Sequence, residues 1–166
     1  YTERIENNWR RLIRDTDTVV IPGDISWAMN FEQAVKDFDF INKLNGTKYI
    51  LKGNHDYWWN TMSKMTKFLT ENGFDTIKII HNNAYSVDGF ALAGTRGWFY
   101  DSGDEKILAR EAARLERSIQ MGIESGKKIV VVLHYPPVYG EYVCKPIIDI
   151  LKKCGICYSR TVRSTE

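Results

Sequence analysis

The amino-acid sequence predicts an α/β fold built around a mixed β-sheet. Short apolar runs that suit strands alternate with longer segments that repeat apolar residues at helical spacing. Residues 18–21 and 49–51 are apolar without alternation, as strands are when both faces of a sheet are covered. Three further strand-like runs follow in quick succession at 76–80, 85–87 and 90–93, and we expect them to add antiparallel pairing to the sheet.

Turn and helix signals support this order of elements. Asp88-Gly89 separates two of the strand-like runs and is a strong hairpin signal. Asn30 followed by Gln33 resembles a capping box at the start of a helix. Apolar periodicity predicts helices over residues 5–13, 30–41, 62–69, 105–125 and 146–153. Because the sequence opens on a helix, we expect that an upstream strand is missing.

Length and composition indicate one globular domain. The chain has 166 residues, of which 43% are hydrophobic, and a net charge of +2. This nearly neutral charge gives no electrostatic support for a membrane partner or for a nucleic-acid partner, although it does not exclude a nucleic acid. Three cysteines, an odd number, favour a reducing compartment, so we expect a cytoplasmic location. The predicted domain spans residues 1–166. Residues 158–166 are expected to form a tail that is disordered or whose sequence is not native-like.

Polar side chains follow three of the predicted strands directly. They are Asp24 after residues 18–21, Asn54-His55-Asp56 after residues 49–51, and His134 after residues 128–133. In open α/β sheets, ligands bind at the carboxyl ends of the strands, where such loops converge. Carboxylate and amide oxygens together with imidazole nitrogen suit divalent ions such as Mn, Fe or Zn.

Each of these motifs also has a purely structural interpretation. Gly23-Asp24 alone is most often a turn, and Asn54 and Asp56 tolerate the backbone conformations of a polar turn. A single His134 at a strand end can simply bond to a backbone carbonyl. The combination is more specific, because all three motifs follow short apolar strands.

In these residues the sequence resembles the calcineurin-like metallophosphoesterase superfamily, in its bacterial predicted-phosphohydrolase branch. The family pattern runs Asp-x-His, Gly-Asp, Gly-Asn-His-Asp/Glu, a strand-end His and Gly-His-x-His. Gly23-Asp24, Gly53 to Asp56 and His134 match the three central blocks in order. The resemblance implies a four-layer αββα sandwich with mixed sheets, incomplete here at both ends.

The resemblance also implies a role for each matching residue. Asp24 would bridge two divalent metal ions, while Asn54 and His134 would be ligands of the second ion. His55 would protonate the leaving group or stabilise charge on the phosphoryl oxygens, and Asp56 would hold the imidazole in place. The two ions, Mn²⁺ first and Fe, Zn or Mg as alternatives, would activate a hydroxide.

Two blocks of the family pattern are absent from the sequence. No Asp-x-His precedes residue 19, and no Gly-His-x-His follows His134. These blocks carry most ligands of the first metal and part of those of the second. Since metal affinity depends on ligand number, this chain is expected to bind one metal ion weakly or none.

Two other features have competing interpretations. Arg96, between glycines in Gly94-Thr95-Arg96-Gly97, is either a substrate-phosphate ligand or an ordinary surface arginine. Cys154-Gly155-Ile156-Cys157 has the spacing of a redox or zinc motif. A redox motif would open a helix, whereas this one follows a helix. Zinc needs about four ligands, and Cys144 is the one obvious third.

The sequence therefore predicts a metal-dependent phosphoesterase that hydrolyses phosphate mono- or diesters of small phosphorylated molecules. The alternative is a non-catalytic relative that only binds a metal, a ligand or a partner. The sequence does not distinguish between substrates or indicate an oligomeric state.

Overall fold

The computed structural model describes residues 2–98 and 105–156, and the chain divides into two compact units. The first unit spans Tyr1–Ile80 and the second His81–Glu166. In the described part of the chain there are five helices and eight strands. Every one of these helices is too short or too polar to span a membrane.

The first unit is a three-stranded parallel sheet with intervening helices. Its elements, in chain order, are α1 (Thr2–Leu12), β1 (Thr18–Ile21), α2 (Phe31–Asn42), β2 (Thr47–Ile50), α3 (Met62–Glu71) and β3 (Ile77–Ile79). The strand order is β1-β2-β3, with Ile21 opposite Ile50 and Ile50 opposite Ile79. This register brings the carboxyl ends of all three strands to one edge of the sheet.

An aromatic core packs in this first unit. Phe38 of α2 and Phe68 of α3 contact each other edge to face, with ring centroids 5.2 Å apart. The indole of Trp58 meets Phe38 in the same geometry at 4.9 Å. Such edge-to-face pairs add to the free energy gained by burying apolar surface.

The second unit contains the mixed sheet. Its elements are β4 (Ala84–Val87), β5 (Phe90–Thr95), α4 (Glu105–Glu124), β6 (Lys128–Leu133), β7 (Val138–Tyr139), β8 (Tyr142–Val143) and α5 (Lys145–Lys153). The hairpin pair β4 and β5 is antiparallel, whereas β5 and β6 are parallel with Thr95 opposite Leu133. Helix α4 lies close to the sheet at Gly122, where an added Cβ would lie 3.4 Å from the Cβ of Ala91.

The predicted α/β class with mixed sheets is confirmed, and it is consistent with the calcineurin-like fold. Three details differ from the prediction. Strand β3 pairs in parallel with β2 rather than joining the antiparallel strands. The two-residue strands β7 and β8 were not predicted. Helix α1 buries no residue, and Leu12 on its predicted apolar face is 68% exposed.

The prediction of one domain over residues 1–166 stays a prediction. Its expected tail at 158–166 lies outside the described residues.

A fully buried lysine connects β2 with the end of α2. The ammonium of Lys48 donates to the carbonyl oxygens of Leu44 at 2.5 Å and Gly46 at 2.8 Å, and more weakly to that of Asn42 at 3.4 Å. These carbonyls belong to the last helical residue and the turn that follows, where a positive charge is favourable. Burial nevertheless lowers the pKa of Lys48 to about 8, with the charge of Asp15 opposing this shift.

The depressed pKa of Lys48 predicts a specific dependence of stability on pH. Between about pH 8 and 10.5 the unfolded chain still holds the proton that the folded chain has lost, so this group makes stability rise with pH. Denaturant titrations should show the unfolding free energy of the wild type rising by about 3 kcal/mol relative to Lys48→Met over this window.

Lys43→Met is the matched control, because Lys43 lies on the surface in an i,i+4 pair with Asp39. This control should show little pH-dependent difference from the wild type over the same window. A constant difference between the wild type and Lys48→Met would contradict the prediction.

Candidate functional site

Two loops of the first unit begin side by side at the carboxyl edge of its sheet. Because Ile21 and Ile50 are opposite each other in parallel strands, residues 22–26 and 51–56 leave the sheet at the same place. The amide of Leu51 still reaches the carbonyl of Ile21, at 3.4 Å, and the first loop then turns sharply at Gly23. These loops carry Asp24, Asn54, His55 and Asp56, so the structure brings these four predicted site residues together.

The carboxylate of Asp56 holds the two loops together. Its side chain is only 1% exposed. It accepts five N–H groups, from the backbone of Asp24 (2.9 Å), Ile25 (2.8 Å), Ser26 (3.2 Å) and Gly53 (2.7 Å) and from the indole of Trp58 (3.0 Å). Hydrogen bonds to a charged acceptor are the strong ones, and here they compensate a buried charge.

This role of Asp56 differs from the one implied by the family resemblance. Asp56 was expected to orient His55, but its carboxylate bonds to backbone N–H groups and to Trp58. The imidazole of His55 instead contacts Asp24 and Asn54. The physical reason is that the turning loops present several N–H groups to one buried acceptor, and these saturate its oxygens. Asp56 is therefore a positioning residue for the loops.

Asp24 has a conformation that only this loop geometry explains. Its φ is +54° and that of the preceding Gly23 is +106°, so both lie in the left-handed region. One carboxylate oxygen accepts the backbone N–H of His55 at 2.9 Å, and the other lies 3.0 Å from His55 Nδ1. A Cβ at Gly53 would lie 2.1 Å from Asp24 Oδ1, so the carboxylate occupies space that any other residue at position 53 would fill.

The contact with Asp24 also indicates the tautomer of His55. An ionised carboxylate only accepts hydrogen bonds, so Nδ1 of His55 is the protonated nitrogen of this pair. The amide nitrogen of Asn54 lies 3.1 Å from Nδ1 and 3.2 Å from Nε2, on the same ring. About a third of each side chain of the Asp24–His55 pair is exposed, so both groups are accessible to a ligand.

Sequence reasoning named Tyr57 within an aromatic cluster that could line the site or belong to the core, but it did not identify Trp27 as a neighbour of His55. The indole of Trp27 stacks on the imidazole, with centroids 4.3 Å apart and an interplanar angle of 15°. Tyr57 meets the imidazole edge to face at 6.1 Å. The one indication in the sequence that Trp27 lies near the site was its position three residues after Asp24.

A second connection ties this loop to helix α2. The hydroxyl of the buried Ser26 donates to Asp37 of α2, and it accepts the backbone N–H of Ala28 at 3.1 Å. Both neighbours of Trp27 in the sequence are therefore held by hydrogen bonds. Ser26 is bonded to Asp56 and Asp37, and Ala28 is bonded to Ser26. The loop around Trp27 is thus fixed by side chains as well as by the sheet.

In the second unit, Arg96 and His134 follow neighbouring strands. Thr95 lies opposite Leu133 in the parallel pair of β5 and β6, and the amide of Tyr135 donates to the carbonyl of Arg96 at 2.9 Å. Gly97 has a φ of +73°, and a Cβ there would lie 3.0 Å from the carbonyl oxygen of Tyr135. The two predicted site residues of this unit are therefore at one edge of its sheet.

The guanidinium of Arg96 contacts two side chains of the second unit, Trp98 and Glu111. It lies 4.7 Å from the ring centroid of Trp98 and 3.9 Å from the carboxylate of Glu111. Glu111 is buried on α4, accepts the hydroxyl of Thr95 at 2.8 Å and pairs with Arg114. Sequence reasoning missed Glu111, because a single acid within an amphipathic helix gives no signal. Substrate binding by Arg96 stays a prediction.

The donor set of the first unit fits part of a divalent-metal site. The carboxylate of Asp24 and the amide oxygen of Asn54 are groups that divalent ions take. Across residues 2–98 and 105–156, however, no cluster of three or more His, Cys, Asp or Glu side chains is arranged to hold a metal ion. Of the predicted Cys-x-x-Cys motif, Cys157 lies outside the described residues.

The five donors on Asp56 predict a large effect of an isosteric substitution. Asp56→Asn replaces one acceptor oxygen by an NH₂ group that faces N–H donors and leaves some of them unpaired. Each buried unpaired group costs about 1–3 kcal/mol, so urea denaturation should show a loss of about 3 kcal/mol or more. Hydrogen exchange of the amides of residues 24–26 should accelerate as well.

Asp39→Asn is the control for this experiment, because Asp39 forms only an exposed i,i+4 pair with Lys43. Its loss should stay below about 1 kcal/mol. Equal losses in the two variants would show that Asp56 does not hold the loops.

No curated protein matches the sequence significantly. A family model described as calcineurin-like phosphoesterase matches residues 2–158, which is nearly the whole chain. The chain belongs to the calcineurin-like phosphoesterase family.

Proposed function

We propose that this chain carries the site of a metal-dependent phosphoesterase that hydrolyses phosphate mono- or diesters. The observation that carries the proposal is the accessible Asp24–His55 pair, 3.0 Å apart at the carboxyl edge of the first sheet. Members of the family generally hydrolyse phosphoesters with divalent metal ions. In this pair, the carboxylate of Asp24 can bind a metal ion and the imidazole of His55 can donate a proton.

Asp24 and Asn54 are the proposed metal ligands of the first unit, through a carboxylate oxygen and the side-chain amide oxygen. Metal ligation by His134 stays a prediction, and Mn²⁺ is the first candidate ion. A divalent ion, when bound, supplies the Lewis acidity that makes a water molecule nucleophilic near neutral pH. The backbone N–H of His55 and the close approach of Gly53 hold the Asp24 carboxylate in place for this role.

His55 is the proposed general acid. With Nδ1–H bonded to Asp24, its Nε2 is the nitrogen that carries the transferable proton in the imidazolium form. As water adds to phosphorus and the bond to the alcohol oxygen breaks, this proton passes to that oxygen. The alcohol then leaves neutral rather than as an alkoxide, and the proton released by water restores the imidazolium.

The alternative is a non-catalytic domain that binds a metal, a ligand or a partner. The finding that favours it is that the described residues lack a cluster of three acid, histidine or cysteine side chains arranged for a metal. Metal binding and turnover, measured separately, distinguish between the two functions.

The first test measures metal binding. The purified chain, stripped with a chelator, should bind Mn²⁺ in equilibrium dialysis, and Asp24→Asn should weaken this binding at least about 10-fold, because a neutral amide replaces the charged ligand. Asp39→Asn, which changes an exposed carboxylate of α2, should bind Mn²⁺ as the wild type does. Unchanged binding in Asp24→Asn would contradict the assignment of Asp24.

The second test measures turnover of an aryl phosphate in the presence of Mn²⁺. His55→Asn should lower kcat by about 10²–10⁴-fold, the usual contribution of a general acid, and it should leave Mn²⁺ binding largely unchanged. Turnover that is absent in the wild type despite Mn²⁺ binding would support the non-catalytic alternative. An undiminished rate in His55→Asn would refute the role of the imidazole.

A further inference from the structure

We propose that Trp27 and Tyr57 form a ring-binding face beside His55, and that the substrate is a phosphoester whose alcohol part carries a planar aromatic ring, as a nucleotide does. This inference rests on the proposed function, because it names the substrate class of the same site. The ring-binding face is defined here as the side chains of Trp27 and Tyr57.

Both side chains are strongly exposed although they are large and aromatic. Trp27 is 69% exposed and Tyr57 is 51% exposed, whereas Trp58, next to Tyr57 in the sequence, is only 2% exposed in the core. Burial of such rings is worth a large free energy, so exposed rings next to a reactive histidine are a typical ligand-recognition feature. Trp27 and Tyr57 both contact the imidazole, which places them within one ring's distance of the proposed proton donor.

The position of Trp27 is fixed before any ligand binds. Ser26 donates its backbone N–H to Asp56 and its hydroxyl to Asp37, and Ala28 donates its backbone N–H to Ser26. The indole itself is held parallel to the imidazole at 4.3 Å. A ring that is already in place loses little conformational entropy on binding, so its contact with a ligand contributes more fully to affinity.

Stacking favours a planar ring over an aliphatic group at this position. Every nucleobase has a π-face, so an aromatic side chain binds bases with little preference among them. The proposed reaction is water plus a nucleoside phosphate, giving the nucleoside and inorganic phosphate. The phosphorus–oxygen bond to the sugar breaks, and His55 delivers its proton to that oxygen. The base does not take part in the bond changes and contributes only through binding.

The test compares adenosine 5′-monophosphate with ribose 5-phosphate, both in the presence of Mn²⁺. The two share the reacting primary alcohol oxygen and differ at C1′, where the nucleotide carries the base and ribose 5-phosphate a hydroxyl group. In the wild type, kcat/KM should be about 10-fold higher for the nucleotide, in line with the stacking of one base. Trp27→Ala should bring this ratio close to one, and Trp27→Phe should keep most of it.

Leu12→Ala is the control, since Leu12 is as exposed as Trp27, at 68%, but ends α1 before the amino end of β1, whereas the site follows the carboxyl end of that strand. It should keep the wild-type ratio. Because Trp27 is mostly exposed, Trp27→Ala should also melt as the wild type does. A wild-type ratio near one, or a high ratio that survives in Trp27→Ala, would overturn the proposal.

A binding measurement separates this inference from the proposed function. Adenosine has no phosphate to hydrolyse, and its binding can be followed in the metal-free protein by the NMR signal of the Trp27 indole N–H. We expect a saturable shift in the wild type, together with a loss of adenosine-induced shifts at the amides of residues 55–57 in Trp27→Ala. If the aryl phosphate is not hydrolysed either, the proposed function fails, whereas absence of the adenosine shift overturns the ring-binding face independently.

Discussion

The buried carboxylate of Asp56 is the interaction on which the candidate site depends. It gathers N–H groups from two loops that are 30 residues apart in the sequence, and so it sets where Asp24 and His55 lie. A buried charge is costly unless it is fully compensated, and here five donors compensate it. The neighbouring residues 55 and 56 therefore differ in their surroundings, since the side chain of His55 is partly exposed whereas the buried carboxylate of Asp56 organises the backbone.

Both units place their predicted site residues in the same way. In each, two parallel strands end together, at Ile21 with Ile50 in the first unit and at Thr95 with Leu133 in the second. The loops that follow are then joined by a specific hydrogen bond, through Asp56 in one unit and between Tyr135 and Arg96 in the other. Loop conformation is thereby coupled to the register of the sheet, which apolar packing makes rigid.

The sequence predicted the fold class and the loops of the site because these depend on local patterns. Apolar runs marked β1 and β6, and glycines marked the turns after β1 and β2. The pairing direction of β3 could not be predicted, because the composition of three residues does not encode their partner. The role of Asp56 was also out of reach, since its partners are backbone N–H groups, which every non-proline residue has. The stacking of Trp27 on His55 depends on a loop conformation that no periodicity describes.

Gly53 has a consequence for how the family motif is used. The carboxylate of Asp24 lies where a Cβ at position 53 would be, so glycine is required there for the loops to close, whether or not catalysis is retained. The first letter of the Gly-Asn-His-Asp string thus reports backbone geometry, and its last letter reports loop closure. The middle two residues, Asn54 and His55, are the proposed metal ligand and the proposed general acid. A relative that kept this fold would therefore keep Gly53 and Asp56 for structural reasons, whatever residues it had at positions 54 and 55.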